Sequence, residues 1–277
     1  MTLSTMSREN PWSNPDRLPA EEAQDLARFI DQRAARPDQR QAHDALLAAL
    51  APQAGERLLD LGCGSGVLTR RLAAQVGPSG EVVGVDISRA MLDYARQQTA
   101  ADQVSPAPRY EQADATSLPF PDGYFHGALM ARTLMHVPEP QAVLAKLRRV
   151  VIPGGRLAIL EADWGTVAVD HSQRELTRRI LAWRTDHVDG NNWMGRQLVR
   201  RCLEAGWQVR TVQGLVSIGR NEETTHFGSL RRCAALALEQ GVITQAEHDA
   251  WVAELDERLA AGLFFASINE YIVVVTA

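Results

Sequence analysis

Three cysteines, Cys63, Cys202 and Cys233, are all the thiol chemistry that 277 residues carry. The number is odd and no two stand at CxxC spacing, so neither a disulfide framework nor a zinc ribbon is expected. Positive charge is also scarce: 29 Lys and Arg face 34 Asp and Glu, a net charge of −5. A phosphate-backbone partner needs the opposite balance, so no nucleic acid is expected. No apolar run approaches the about 20 residues that span a bilayer, and no membrane partner is expected. The N-terminal MTLSTMSRENPWSNP lacks a basic start followed by an apolar stretch, so no signal peptide is expected either. With 45% hydrophobic and 23% charged residues, these exclusions leave the expectation of a soluble, cytoplasmic chain with length for one large domain and some additions.

Residues 1–19 are polar, hold three prolines and read as a flexible leading segment. Leu26, Phe29 and Ile30, then Leu46, Leu47 and Leu50, recur at helical spacing, and Arg36-Pro37 splits residues 20–50 into two helices. From 55 to 161, short apolar runs alternate with helical stretches. The runs are Arg57–Leu61, Glu81–Asp86, Tyr124–Met130 and Arg156–Leu160; the helical stretches lie near 66–76, 88–99 and 138–150. That alternation predicts parallel βαβ units covered on both faces, with Pro153-Gly154-Gly155 as a turn before the fourth run. Residues 162–194 show no clear strand. A helix (Gly195–Ala205), a turn at Gly206, a strand (Gln208–Ile218), a mostly helical stretch at 223–262 and a β-rich run from Ile268 to Thr276 complete the chain. There is no internal repeat.

The chemistry begins at the first run. Leu58-Leu59-Asp60-Leu61 leads straight into Gly62-Cys63-Gly64-Ser65-Gly66 and then an amphipathic helix. Glycines permit a sharp strand-to-helix turn and the close approach of a ligand to the main chain. The spacing is GxGxG rather than the GxGxxG of a pyrophosphate cradle. Asp60 beside the loop suits a cationic amine and not a diphosphate. Asp86 ends the second run, where a carboxylate accepts hydrogen bonds from ribose hydroxyls; capping of the helix after Ser88 is the plainer reading. Asp114, after a third strand, could accept from the exocyclic amine of adenine, or simply form an Asx turn.

The runs LLDLGCGSG, VVGVDIS with MLDYAR, QADATSLPFPDGYF, LMHV and RRVVIPGGRLAI together resemble the class I S-adenosylmethionine (SAM)-dependent methyltransferases. Within them they are most similar to the small-molecule type of the ubiquinone and menaquinone pathways. The resemblance covers residues 45–165 strongly and 195–220 and 268–277 weakly. It implies an α/β, Rossmann-like fold: a seven-stranded, mostly parallel sheet with helices on both faces, an antiparallel last strand and helical cap additions. It implies SAM as cofactor and methyl transfer to a small organic acceptor by direct in-line displacement. Gly62, Gly64 and Gly66 would contact the methionine part, Asp60 its ammonium and Asp86 the ribose. Ile87 and Met91 would line the adenine pocket, Asp114 with Ala115 would take the adenine amine, and Ala131 would border the cofactor. One departure is local: the family has an aspartate where His126 follows Phe125.

On this reading residues 1–50 are an N-terminal helical cap and 51–277 the cofactor domain, with cap insertions at about 163–194 and 223–262. Ligands of open α/β sheets bind beyond the carboxyl ends of the strands. That places Ala131-Arg132-Thr133, Met135-His136 and Glu161-Ala162-Asp163-Trp164 at the acceptor. His136 is the candidate base, with a packed loop residue as its alternative. Arg132 is the candidate partner of an anionic acceptor or of the SAM carboxylate, or else the ion-pair partner of Glu161 or Asp163. Asp163, Trp164, His171 and Trp193 are candidates for the acceptor pocket, with packing of the additions as the alternative; His187, Asp189, Asn191 and Asn192 add polarity nearby. No metal site is expected. Two other classes stay open: a methyltransferase fold that binds SAM but catalyses another step, and a nucleotide-binding oxidoreductase. The oligomer is read as a monomer or homodimer.

Overall fold

The computed structural model describes residues 15–188, 190–221 and 227–277, without the side chains of 227 and 228. Seven strands form one sheet: β1 (Arg57–Leu61), β2 (Glu81–Asp86), β3 (Arg109–Gln112), β4 (Phe125–Ala131), β5 (Val151–Val169), β6 (Gln208–Gly219) and β7 (Ala266–Thr276). Their order is β3-β2-β1-β4-β5-β7-β6. The first five run parallel, and β7 is antiparallel to both β5 and β6. The expected mostly parallel sheet with an antiparallel last strand is what the chain forms.

Continuous apolar runs make the central strands because both their faces are covered. Leu58, Leu59 and Leu61 of β1 are 0–1% exposed. Pleating then divides the core. Leu59, Ala128 and Ile159 face one cluster, shared with α5 (Pro140–Val150) and α7 (Met194–Glu204). Leu58, Leu129 and Leu160 face the other, against α2 (Pro37–Leu50) and α3 (Val67–Val76). On the β2–β3 side, α1 (Ala20–Ala34) packs Leu26 and Ala27 onto Met91 of α4 (Arg89–Ala101). The two N-terminal helices lie where the helical spacing and Arg36-Pro37 placed them, and α2 ends where Ala51 turns left-handed at φ 51°.

Two expectations need correction. Pro153-Gly154-Gly155 does not precede the fifth strand but lies inside it. Pairing jumps from Phe125↔Val151 to Gly127↔Arg156, so the extra residues are absorbed as a bulge. The stretch 162–194 is not strand-free. β5 runs on to Val169, with Ala168 and Val169 opposite Ser267 and Ala266 of β7. A sequence window sees no alternation there because the bulge between Asp163 and Ala168 breaks the period of two. This extended β5–β7 ribbon carries α6 (Arg174–His187), α8 (Phe227–Glu239) and α9 (Gln245–Ala260), which close a separate core around Ile180, Leu230, Trp251, Leu255 and Phe264. No helix among the described residues is long and apolar enough to cross a membrane.

Phe125 anchors the start of β4, fully buried and edge-on to the Phe120 and Tyr124 rings at 4.9 Å each. Phe125→Ala should lower the unfolding free energy by about 3–5 kcal/mol. Urea denaturation measures it, and a loss under about 1 kcal/mol would show that this corner repacks freely.

Candidate active site

β1, β2 and β4 deliver their last residues, and β5 the end of its parallel part, to one edge of the sheet. The glycine loop leaves β1 with φ of +75° at Gly62, +52° at Gly64 and +76° at Gly66, all left-handed. Two of these positions admit nothing larger. A Cβ on Gly62 would collide with the Thr133 side chain, and one on Gly66 would stand 2.6 Å from the Tyr110 hydroxyl. The loop is therefore pressed against the β4 exit on one side and β3 on the other, and turns directly into α3.

Two carboxylates flank it. Asp60 is 2% exposed and accepts from the Thr69 hydroxyl at 2.6 Å. Burial pushes its carboxyl up to about 7, with the Asp86 charge adding to the rise. Asp86 is also raised by burial; its Oδ2 accepts from the Gly64 amide and its Oδ1 from the Ser88 amide, both at 2.9 Å. Each of those oxygens has a further lone pair. Among the described residues neither acid has an ion-pair partner. Ser88, not Asp86, caps α4, through the Met91 amide.

The rest of the expected cofactor set divides. Ile87 is exposed at the strand tip. Met91 of α4 is buried against Leu26 and Ala27 of α1. Asp114 forms an Asx turn, its Oδ1 accepting from the Thr116 amide at 2.7 Å and the Thr116 hydroxyl at 2.8 Å. Ala115 packs on the larger core cluster and Ala131 on the α2 side.

On the acceptor side, Arg132 adopts φ 55°, a left-handed backbone that a side chain disfavours. Its guanidinium pairs with neither Glu161 nor Asp163 but grips Glu270 of β7 at 2.6 and 2.9 Å. Glu270 also accepts from the Ser217 hydroxyl at 3.0 Å. Asp163 is claimed by Arg196 of α7, at 2.5 and 2.9 Å. Burial, helped by the charge of Arg33 from α1, pushes His136 down to about 4. It is neutral near pH 7 and a weak base there. Arg33 itself is drawn down to about 10 by burial and then by Arg132. Trp164 lies under the Arg184 guanidinium at 3.5 Å, and Trp193 under that of Arg196 at 4.2 Å. His171 does not join the group: it stacks on Trp251, 5.2 Å between centroids, inside the α6–α9 core. His187 stacks on Trp183 on the same helix. Asn191 borders the β4 exit, its amide donating to the Met135 carbonyl at 2.7 Å, whereas Asn192 accepts from the Trp164 amide and from Arg184, and Asp189 lies outside the described residues. No metal-holding group of three or more His, Cys, Asp or Glu occurs among the described residues.

The family model for the methyltransferase domain matches residues 59–159, the span of β1 through the parallel part of β5. A protein of Streptomyces fradiae, described as an uncharacterized 37.1 kDa protein in transposon TN4556, is 37% identical over 254 residues, covering 91% of this chain and 72% of that one. The ubiquinone/menaquinone biosynthesis C-methyltransferase UbiE of Stutzerimonas stutzeri is 44% identical over 107 residues, 39% of this chain and 42% of its own. The chain belongs to the class I SAM-dependent methyltransferases, of the UbiE type. The match to UbiE thus spans less than half of that relative and stops short of its remaining length. Two solved structures share the fold: a SAM-dependent methyltransferase from Aquifex aeolicus (TM-score 0.53, 20% identity, 68% of this chain and 90% of that one) and the [4+2]-cyclase SpnF (TM-score 0.51, 21% identity, 92% and 83%). The oxidoreductase alternative falls with this assignment.

Sequence reasoning missed three parts of the methyltransferase site. Arg33 and Tyr110 carry no local signal. Glu270 does: it is a lone acid in the otherwise apolar closing strand of a buried sheet, a position that calls for a partner.

The raised Asp60 sets a pH dependence. With a folded value of about 7 against an ordinary 3.8, the native state keeps a proton that the unfolded state releases. Stability from this group is therefore lost as pH rises from about 4 to about 7 and stays lost above. Asp60→Asn should flatten that slope and gain on the parent at about pH 8 relative to about pH 5. Urea midpoints at the two pH values measure this; parallel curves would refute the raised carboxyl.

Proposed function

We propose that this chain transfers the methyl group of SAM to a small organic acceptor bound beyond the exits of β4 and β5. The observation that carries the reading is the pair of acids, buried Asp60 and half-buried Asp86, on either side of the glycine loop, both raised by desolvation and without an ion-pair partner among the described residues. A cationic nucleoside ligand would relieve both, and a second phosphate would not. The left-handed loop leaves backbone amides close to such a ligand, and Asp86 keeps lone pairs for two hydroxyls.

When bound, SAM supplies an electrophilic methyl on a sulfonium. The protein's share is positioning and the exclusion of water. Gly62 against Thr133 fixes the β1 and β4 exits together, so the methionine end of the cofactor and the acceptor share one wall. His136, held near 4, makes proton removal from a weakly acidic nucleophile inefficient. The acceptor therefore brings a nucleophile that is already ionised or activated, such as a hydroxylated aromatic ring. The ubiquinone and menaquinone chemistry in the name of UbiE is of that class. Trp164 and Trp193, with cations over their faces, border the same edge as planar surfaces.

The fold alone does not fix the reaction, since SpnF, a cyclase by name, shares it. Isothermal titration with S-adenosylhomocysteine should show one site on the wild type, weakened at least about tenfold by Asp86→Ala with the circular dichroism spectrum retained. No binding at millimolar ligand would end the proposal. Intact SAM after turnover of an acceptor would support the non-methylating alternative.

A further inference from the structure

The sheet ends differently on its two sides. β3, at one edge, is four residues long and carries Arg109 and Glu111, paired with each other at 3.2 Å. An edge that is short and charged is a poor template for another strand. β6, at the other edge, is twelve residues long. From Thr211 to Gly219 it reads TVQGLVSIG, with neither a charged residue nor a proline. Val212, Val216 and Ile218 are 54%, 61% and 45% exposed. All three point to the α7 side of the sheet, where Val212 sits opposite buried Val273. Among the described residues, no main chain of another element bonds to the outer edge of β6.

An open edge selects a strand, and this one is complementary to itself. In antiparallel pairing about a two-fold axis, residue i meets residue j of the other copy and j meets i. Centred on Gly214, such pairing sets Val212 of each copy against Val216 of the other, and Thr211 against Ser217, in a ladder without charge. Arg210 then faces Ile218, and Arg220 faces Gln208; a centre one residue further on would oppose the two arginines. At the axis Gly214 adds no bulk, and the Tyr271 ring leans over it, 3.8 Å from where a Cβ would stand. The area suffices. The twelve residues of β6 run about 40 Å at about 3.3 Å each. α2 and α7 flank the strand, so this end of the sheet is about 20 Å deep, one helix layer of about 10 Å on either face. That outline, about 800 Å², is what one partner gives to an interface of standard size.

We propose that β6 pairs with β6 of a second copy of this chain, antiparallel about a two-fold axis at Gly214, and joins the two sheets into one across a homodimer. A charged partner has nothing to complement in the ladder. A lipid surface would cover the valines but leave the main-chain groups of the edge without hydrogen bonds. A second copy satisfies those groups and covers Val212, Val216 and Ile218 together. The joined edge is one hydrogen bond from the acceptor side, because Ser217 of β6 donates to Glu270, which Arg132 grips. The pairing does not depend on the identity of the cofactor or the acceptor.

Sedimentation velocity of the whole chain at micromolar concentration should show a dimer. Val216→Lys and, separately, Val212→Lys put a charge into the ladder and should weaken that dimer at least about tenfold. Their circular dichroism spectra should match the wild type, since both side chains stand in solvent in the single chain. Gly214→Cys reads the register. Residues directly opposite in an antiparallel pair have Cα atoms about 4.5–5.5 Å apart, within disulfide reach. The backbone at Gly214 is not left-handed and the space beside it admits a side chain. Oxidised with copper phenanthroline, Gly214→Cys should give a disulfide-linked dimer and Gln208→Cys, far from its own copy, should not; the three native cysteines are buried. A chain still monomeric at about 100 μM, a dimer indifferent to both lysines, or equal cross-linking at 208 and 214 overturns the proposal. A monomer that binds phosphatidylglycerol vesicles, and loses them in Val216→Lys, assigns the face to a lipid surface and overturns it as well. Should Gly214→Cys not fold, the two lysine variants decide.

Discussion

Arg132 lies against Glu270 through two hydrogen bonds of 2.6 and 2.9 Å, with both side chains almost out of water. Removing either partner would strand a buried charge, a loss of about 3–5 kcal/mol. The pair spans the seam between the parallel strands and the antiparallel end, because Arg132 leaves β4 and Glu270 sits on β7 with β5 between them. It also explains the left-handed backbone at Arg132: the bidentate contact and the Arg132 amide bond to the Leu160 carbonyl at 2.7 Å hold a conformation the residue would not adopt alone. With the guanidinium so engaged, burial outweighs the backbone amides and the Arg132 charge at Glu161 and pushes its carboxyl up to about 8.

The cofactor side depends on a different balance. Asp60 is held out of water by apolar strands and the loop, Asp86 is half-buried, and hydrogen bonds from Thr69 to the first and from Gly64, Ser88 and Ile87 to the second offset part of that desolvation. That electrostatic burden falls in the place where the glycine loop is tightest. Above it, α1 brings Ile30 to within ordinary contact of where a Gly64 side chain would stand. The N-terminal helices are tied to α3 by Asp31–Arg70 at 2.9 Å and by Asp44–Arg71. Such partly exposed pairs contribute at most about 1 kcal/mol each. Apolar contacts of Leu26, Ala27, Leu46, Leu47 and Leu50 supply the larger share of what holds α1 and α2 down.

The alternation of apolar runs and helical stretches, the glycine loop and the acids after β1 and β2 were legible because each is a local pattern of period two, period 3.6 or fixed spacing. The bulges in β5 were not: a pairing jump is a property of two strands, and one strand's residues do not record it. His171 shows the same limit from the other side: it has the residue type a pocket would use, yet it stacks on Trp251 inside the α6–α9 core. His136 was visible as a candidate base, but the burial and the Arg33 charge that weaken it come from a helix about a hundred residues earlier in the chain.

The sequence by itself determined the order of elements, the cofactor loop and the family, since strand and helix periodicity and the strand-to-helix glycine turn are written in neighbouring residues. Only the tertiary structure decided the protonation and pairing of the site. Arg132 pairs with Glu270 and not with Glu161 or Asp163, which are closer in the sequence, because the β7 strand, arriving antiparallel from the far end of the chain, sets that carboxylate beside it. Asp163 was meanwhile taken by Arg196 of α7. Which charges are paired, buried or left protonated depends on distances between strands and helices that meet only in the folded sheet.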